Sequence, residues 1–332
     1  MHSGDAGACT CKTLPVERRQ VKYESLAERS PGDAPWDLHR AAADGVAGLY
    51  GQAEEFERLA ARMGECSGWL KFGMQADADG VIGLRLRKAN FCRVRNCPVC
   101  QWRRSLMWKA RFYQAMPTLT AQAKARWVFL TLTVRNCEVK DLRETLRAMS
   151  NAWRRLTLRK EFGQVLGWVR TTEVTRGADG SAHPHYHVLA MVSPSYFGKH
   201  YLTRDDWAKA WQGAMRLDYL PVVDVKAVRD KRTGKTATNV DPETLKGAVS
   251  ETLKYAIKPS DMQSDVTWFF ELTRQIHRMR FIASGGLLKD LFKEEESGED
   301  LLLADDPNAE PDDLGQLTFS WAPNVKQYRR RV

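Results

Sequence analysis

The stretch LGWVRTTEVTRGADGSAHPHYHVLAMV, residues 166–192, decides how this chain folds. Leu166 to Thr175 and Tyr186 to Val192 are rich in β-branched and aromatic residues and suit strands. Gly177-Ala178-Asp179-Gly180 supplies turn residues between them, so an antiparallel hairpin is expected. Residues two apart on a strand share a face, which points His185 and His187 the same way. The apolar VLAMV run that follows should anchor that strand in the core. A single strand histidine is more often a packed core residue. Two side by side are costly to leave unpaired and form a clamp for a divalent metal. If the register is symmetric about the turn, Glu173 faces the pair as a third ligand, with His183 as its competitor. The plain alternative for Glu173 is a solvated strand charge or an arginine partner. Two histidines and a carboxylate leave coordination positions open for a phosphate oxygen, as Lewis-acid catalysis requires. Imidazole favours Mn²⁺ over Mg²⁺ by affinity, although abundance could still place Mg²⁺ there.

The hairpin extends on both sides into an alternation of strand and helix. Trp127 to Val134 (WVFLTLTV) reads as a strand. Leu142, Leu146, Met149, Trp153 and Leu156 repeat at helical spacing as one apolar stripe. Thr203 with Asp206 forms a capping box for a helix carrying Trp207 and Trp211. Val222 to Val228 is a further strand. Asp241-Pro242 opens a helix expected to run to about Lys258, where Pro259 stops it. This order predicts an α+β fold, a mostly antiparallel central sheet covered by helices on one face.

Before this region, residues 1–62 read as a variable extension: a structure-breaking Ser30 to Asp33 run, then an Ala- and Glu-rich helix over Leu38 to Arg62. Residues 63–110 are dominated by cysteine and arginine. Cys92, Cys97 and Cys100 lie within nine residues, and Cys66 is the natural fourth member. Four thiols with one two-residue spacing suit tetrahedral Zn²⁺, and a site closed by four thiolates is structural rather than catalytic. The competing reading is free cysteines in a loop. Cys9 and Cys11 are a weaker pair, and Cys137 a stray thiol. Arg93, Arg95, Arg103 and Arg104 surround the cluster and are assigned, with Lys254, to DNA contact.

The net charge is +10, yet residues 294–313 contain ten acidic residues and no lysine or arginine. The remainder holds 51 basic against 31 acidic residues. A body that basic, with eleven tryptophans to stack on bases or fill the core, suggests nucleic acid as partner. Residues 291–332 are expected to be an acidic, disordered tail with a basic end at Gln327 to Arg331. No stretch is apolar and long enough to span a membrane, the first residues lack a signal-peptide core, and a cytoplasmic location is expected.

Glu251-Thr252-Leu253-Lys254-Tyr255-Ala256-Ile257-Lys258 carries the remaining chemistry. On one helix, Glu251, Tyr255 and Lys258 share a polar stripe, while Leu245, Val249, Leu253 and Ile257 turn to the core. A phenol of pKa near ~10 attacks poorly unless metal or base assists it. Beside a bound phosphate, Tyr255 could displace a DNA 3′-oxygen, with Lys258 or Lys254 stabilising charge and Glu251 activating water later. Read alone, such a stripe is ordinarily a solvated helix face.

Together FLTLTV (Phe129 to Val134), HPHYHVL (His183 to Leu189) and ETLKYAIK (Glu251 to Lys258) resemble the plasmid rolling-circle replication initiator (Rep) proteins. These belong to the single-tyrosine branch of the HUH endonuclease superfamily. ANFCRVRNCPVCQWRRS (Ala89 to Ser105) is similar to the family's zinc-binding segment, and Arg280 to Leu287, with Gly285-Gly286, to the end of its domain. The resemblance covers roughly residues 60–290 and implies an HUH-type nicking and joining domain over 120–290. It implies that the histidine pair binds a divalent metal and that Tyr255 nicks one strand at the double-strand origin. The products would be a 5′-phosphotyrosine link and a 3′-hydroxyl primer. Glu251, four residues before the tyrosine, would activate water at termination. Expected partners are origin DNA, double- and single-stranded, with host helicase and polymerase, since no Walker-type loop supplies a motor; a homo-oligomer stays open. The alternatives are a mobilisation relaxase or single-strand transposase of the same superfamily, or a non-catalytic zinc DNA-binding regulator.

Overall fold

A computed structural model describes residues 22–76, 79–229, 242–254, 257–289, 291, 300–302 and 314–332. Two five-stranded antiparallel sheets organise them. The first is built on the hairpin. β5 (Val165–Arg176) and β6 (Ala182–Val192) pair with Glu173 opposite His185 and Thr171 opposite His187. The turn between them closes through Gly177 N–H to Ser181 O at 2.8 Å, and Gly180 adopts a φ of +82° that a side chain would resist. β4 (Arg126–Thr133) flanks β6 on its other side, and β7 (Val223–Ala227) and β8 (Ile282–Gly286) close the edges in the order β7-β4-β6-β5-β8.

Helices cover both faces of this sheet, not one. The predicted stripe of α5 (Leu142–Leu156) is buried at all five positions and packs, with Trp207 and Trp211 of α6 (Arg204–Met215), on Val128, Leu130, Tyr186 and Val188. The opposite face is covered by α4 (Pro98–Gln122), through Phe112, Met116 and Leu119, and by α7 (Pro242–Thr252), through Leu245 and Val249. These meet Trp127, Val169, Leu189 and Met191. The unbroken apolar run VLAMV fits a strand buried on both sides, where alternation is lost. The capping box of α6 forms as expected, with Thr203 Oγ1 accepting from Asp206 N–H.

The second sheet departs furthest from the sequence reading. Its order is β1 (Tyr23–Ser25), β10 (Gln327–Arg331), β9 (Gln316–Ala322), β2 (Trp69–Ala76), β3 (Ile82–Ala89). The basic end is therefore a sheet strand rather than part of a disordered tail. Phe319 and Tyr328 are fully buried, and Tyr328 Oη donates to Ser67 O at 2.6 Å. Every second residue of QLTFSWA points inward, a period-two signal that the neighbouring acidic run obscured. Residues 292–299 and 303–313, most of the acidic run, lie outside the described residues, as do Cys9 and Cys11.

The extension is equally integrated. After the four-residue α1 (Leu26–Arg29), α2 (Pro35–Tyr50) buries Trp36, Ala43, Val46 and Tyr50 in the same core as the first sheet. The expected single helix is interrupted at Gly51, and α3 (Glu57–Gly64) follows a 3₁₀ turn. α8 (Pro259–Ser264) and α9 (Val266–Gln275) complete the fold.

Candidate active site

β6 runs through the middle of the first sheet, so its odd-numbered side chains share a face with those of β4 and β5. At the open end of that face Glu173, His185 and His187, all buried, bring one ligand atom each to within 4.8 Å of one another and could hold a metal ion. Glu173 Oε2 lies 3.1 Å from His185 Nε2 and 2.8 Å from His187 Nε2. The outer nitrogens are also engaged. His185 Nδ1 is 3.3 Å from the carbonyl of His183, and His187 Nδ1 is 3.3 Å from Thr131 Oγ1.

That arrangement tests whether a cation fits. The His183 carbonyl can only accept, so it orients the His185 ring through Nδ1–H and turns Nε2 toward Glu173. A cation bound there would take the place of the hydrogen bond between His185 Nε2 and Glu173 Oε2, now 3.1 Å apart. Metal-bound histidines are oriented in this way, through the hydrogen bond of the outer nitrogen. Burial works against the charge on Glu173, but His185, His187 and Lys254 outweigh it and hold the carboxyl well below the usual range. His183, the competing third ligand, is 2.6 Å from Asn136 Oδ1 through Nδ1 and does not join the cluster.

α7 and the two residues after it deliver the next groups. Lys254 Nζ donates to Glu173 Oε2 at 2.8 Å and to Glu251 Oε1 at 2.7 Å. Glu251 Oε1 lies 3.8 Å from His187 Nε2, at the edge of the cluster. The helix stops at Thr252, short of the expected Lys258. Thr171 Oγ1 of β5 donates to the Thr252 carbonyl at 2.5 Å, so this oxygen has a partner outside the helix. The shared stripe through Lys258 therefore does not form: Lys258 is exposed, with extended backbone, and caps α8. Tyr255 lies outside the described residues. Ile257 is buried, as expected. Thr131 and Thr171 went unread in the sequence, although both sit on the histidine face by strand parity.

The cysteines converge as well. Cys66 follows α3, Cys92 follows β3, and Cys97 and Cys100 open α4. Three Sγ–Sγ distances are 3.6 Å and all four thiols are buried. The Cys92 backbone N–H donates to Cys66 Sγ and that of Val94 to Cys92 Sγ. Hydrogen bonds within the cluster hold Cys100 well below an ordinary thiol and, together with burial, push Cys66 and Cys97 well above one. Cys137 is half-buried and stands apart.

The arginines around this cluster face the protein more than the sequence suggested. Arg103 is buried, donates to the carbonyls of Leu301 and Leu302, and lies over Trp36, so it is not a surface contact. Arg95 donates to Met279 O and packs over Phe281. Arg104 donates to Arg93 O at 3.2 Å. Most tryptophans likewise fill the core.

No helix among the described residues is long and apolar enough to cross a membrane. Residues 83–329 match the family described as Replication protein. A "Protein rep" of Bacillus amyloliquefaciens is 31% identical over 303 residues, covering 83% of this chain and 86% of the relative. One from Lentilactobacillus hilgardii is 35% identical, covering 82% and 87%. One from Streptococcus pneumoniae is 32% identical, covering 82% and 84%. No solved structure matches. With the family matched over residues 83–329, and relatives 31–35% identical along most of its length, the chain belongs to the Replication protein family, the plasmid Rep initiators that its motifs resemble.

Proposed function

We propose that this initiator nicks one DNA strand at the double-strand origin in the HUH manner, with Tyr255 as nucleophile. The supporting observation is the convergence of Glu173, His185 and His187, with Glu251 and Lys254 at its edge. In the reaction the Tyr255 phenol oxygen bonds to phosphorus as its proton passes to a nearby base or water, the bond from phosphorus to the 3′-oxygen breaks, and that oxygen takes up a proton from water. A 5′-phosphotyrosine and a free 3′-hydroxyl result, and the hydroxyl primes synthesis. A divalent ion, Mn²⁺ or Mg²⁺, held by the three residues would neutralise charge on the phosphate. Lys254, and Lys258 from beyond the helix, supply positive charge near the phosphate. Glu251 is half-exposed at the edge of the site and takes a proton from the water that releases the strand at termination.

For the four cysteines we propose Zn²⁺. Its bonds to sulfur of about 2.3 Å require sulfur–sulfur separations of about 3.8 Å in a tetrahedron, close to those of the thiols. Arg93, Arg95 and Arg104 beside this knuckle remain the proposed DNA contacts there. Host helicase and polymerase complete the proposed cycle, in the cytoplasm. The family favours this reading over a relaxase, a transposase or a regulator. The test is covalent attachment to a supercoiled plasmid bearing the origin. Tyr255→Phe should abolish attachment while origin binding persists, and retained attachment would remove Tyr255 as nucleophile.

A further inference from the structure

The sheet face turned away from the histidines carries a second feature that the proposed chemistry does not use. A cavity of about 550 Å³ opens between α5 and the strands β5 and β8, within the size range of small-molecule sites. Its sheet wall comes from even-numbered residues, Trp168 and Arg170 of β5 and Tyr186 of β6, whereas the metal cluster uses odd ones.

Arg170 is only 5% exposed, and its Nε and Nη1 have no hydrogen-bond partner. Its guanidinium lies 4.0 Å from the centre of the Tyr186 ring and 5.5 Å from that of Trp153. Those rings offset part of the charge, but they do not accept the two orphaned N–H groups. A buried guanidinium cannot shed its proton, so the unmet donors carry a full desolvation penalty. Burial works against the charge on Arg170, Tyr186 favours it, and nearby Arg280 adds repulsion.

Further positive charge lines the same space. Arg280 is at the β8 side, while Arg147 and Arg154, two helical turns apart on α5, are exposed at the rim. Arg154 donates to Asn151 Oδ1 at 2.7 Å and Arg280 to Ile282 O at 2.8 Å, which leaves donor capacity on each fork. Among the described residues no carboxylate lines the cavity. Four guanidinium groups, one of them buried and unmet, call for an anion with several acceptor oxygens, and phosphate matches the fork geometry. Half-buried Trp168 adds an aromatic face at the same wall, so a planar base beside the phosphate is accommodated.

We propose that this cavity binds a nucleotide phosphate, on the face of the sheet opposite the candidate metal centre. Arg170 and Arg280 hold the phosphate, Arg147 and Arg154 close over it, and Trp168 lies against the base. The nucleotide is either part of a single DNA strand or free. The assignment stands on the arginines alone and does not rest on the nicking reaction.

The test pairs two probes with two variants of the full chain. A fluorescein-labelled twelve-residue oligo-dT is followed by anisotropy across a salt series, and dAMP by its effect on thermal melting, with inorganic phosphate alongside. Arg147→Ala with Arg154→Ala changes only exposed residues. Lys160→Ala with Lys199→Ala removes the same charge elsewhere, and circular dichroism confirms folding of both. If a strand is the source, the arginine variant loses oligo affinity by about tenfold or more. Its salt slope then falls by about 0.7 for each phosphate contact removed, and the lysine variant keeps both. If a free nucleotide is the source, dAMP raises the melting temperature of the wild type and the arginine variant loses that shift. Equal losses in both variants, no loss in either probe, or a response to inorganic phosphate with no preference for dAMP would each overturn the proposal.

Discussion

Replacing Glu173 by glutamine tests the metal centre most directly, because the change removes charge while keeping shape. Glu173 is 3% exposed, and one of its oxygens faces two imidazole nitrogens and the Lys254 ammonium within 3.1 Å. If that oxygen is a metal ligand, its loss must cost at least as much as losing an outer-sphere partner. Such partners alone contribute about 10–100-fold in affinity, and tenfold is about 1.4 kcal/mol. Calorimetric titration with Mn²⁺ should therefore show the Glu173→Gln affinity lowered by about 100-fold or more, beyond about 2.8 kcal/mol. His183→Ala should stay within a few-fold of wild type, because the His183 ring is held by Asn136 outside the cluster. The reverse ranking, or an unchanged affinity in Glu173→Gln, would refute the ligand set. The metal-free protein adds a check of sign. The Glu173 carboxyl is held below its ordinary range, so its stabilisation is complete above an unfolded pKa of about 4.3 and is lost as pH falls toward the folded value. The melting-temperature gap between wild type and Glu173→Gln should thus shrink as pH falls below about 5.

Three other outcomes are expected. Cys97→Ser should lose zinc by elemental analysis and lower the melting temperature, and unchanged zinc content would exclude the four-thiol site. Tyr328→Phe should cost about 1–3 kcal/mol in urea unfolding, because it strips the Ser67 carbonyl of its buried donor; an unchanged midpoint would mean that this strand is not docked as described. Burial beside Trp102 lowers His39 to about 4, so the unfolded chain binds the extra proton between roughly pH 4 and 6.5 and stability rises with pH across that window. His39→Gln should flatten that rise, and an undiminished slope would place its cause elsewhere.

How much of this was legible in the sequence depends on the range of the interactions involved. Strand parity and a turn are local, so FLTLTV, the hairpin, the apolar stripe of α5 and the shared face of His185 and His187 could be read directly. Cys66 joined its three partners because tetrahedral coordination needs a fourth ligand, an argument that spans sequence distance. Helix length was read too generously. Nothing local in ETLKYAIK shows that Thr171, 81 residues earlier, takes the Thr252 carbonyl and that the helix ends before Tyr255. The arginines beside the cysteines were misjudged for the opposite reason: charge pattern reports the sign of a side chain, not whether it is spent on a buried carbonyl, as in Arg103.

By itself the sequence determined the strand and helix periods, the shared face of His185 and His187, and the four-cysteine set. Each follows from backbone geometry or donor chemistry. The choice of Glu173 over His183 came from the register and contacts of the folded hairpin. Only the tertiary structure decided that Gln316–Arg331 joins the first and second strands in one sheet, that helices cover both faces of the other sheet, and that Lys254 turns onto Glu173. It also left Arg170 buried with unmet donors beside three other arginines. Those features arise from contacts between segments up to three hundred residues apart, whose formation depends on the burial of the whole core rather than on any local pattern.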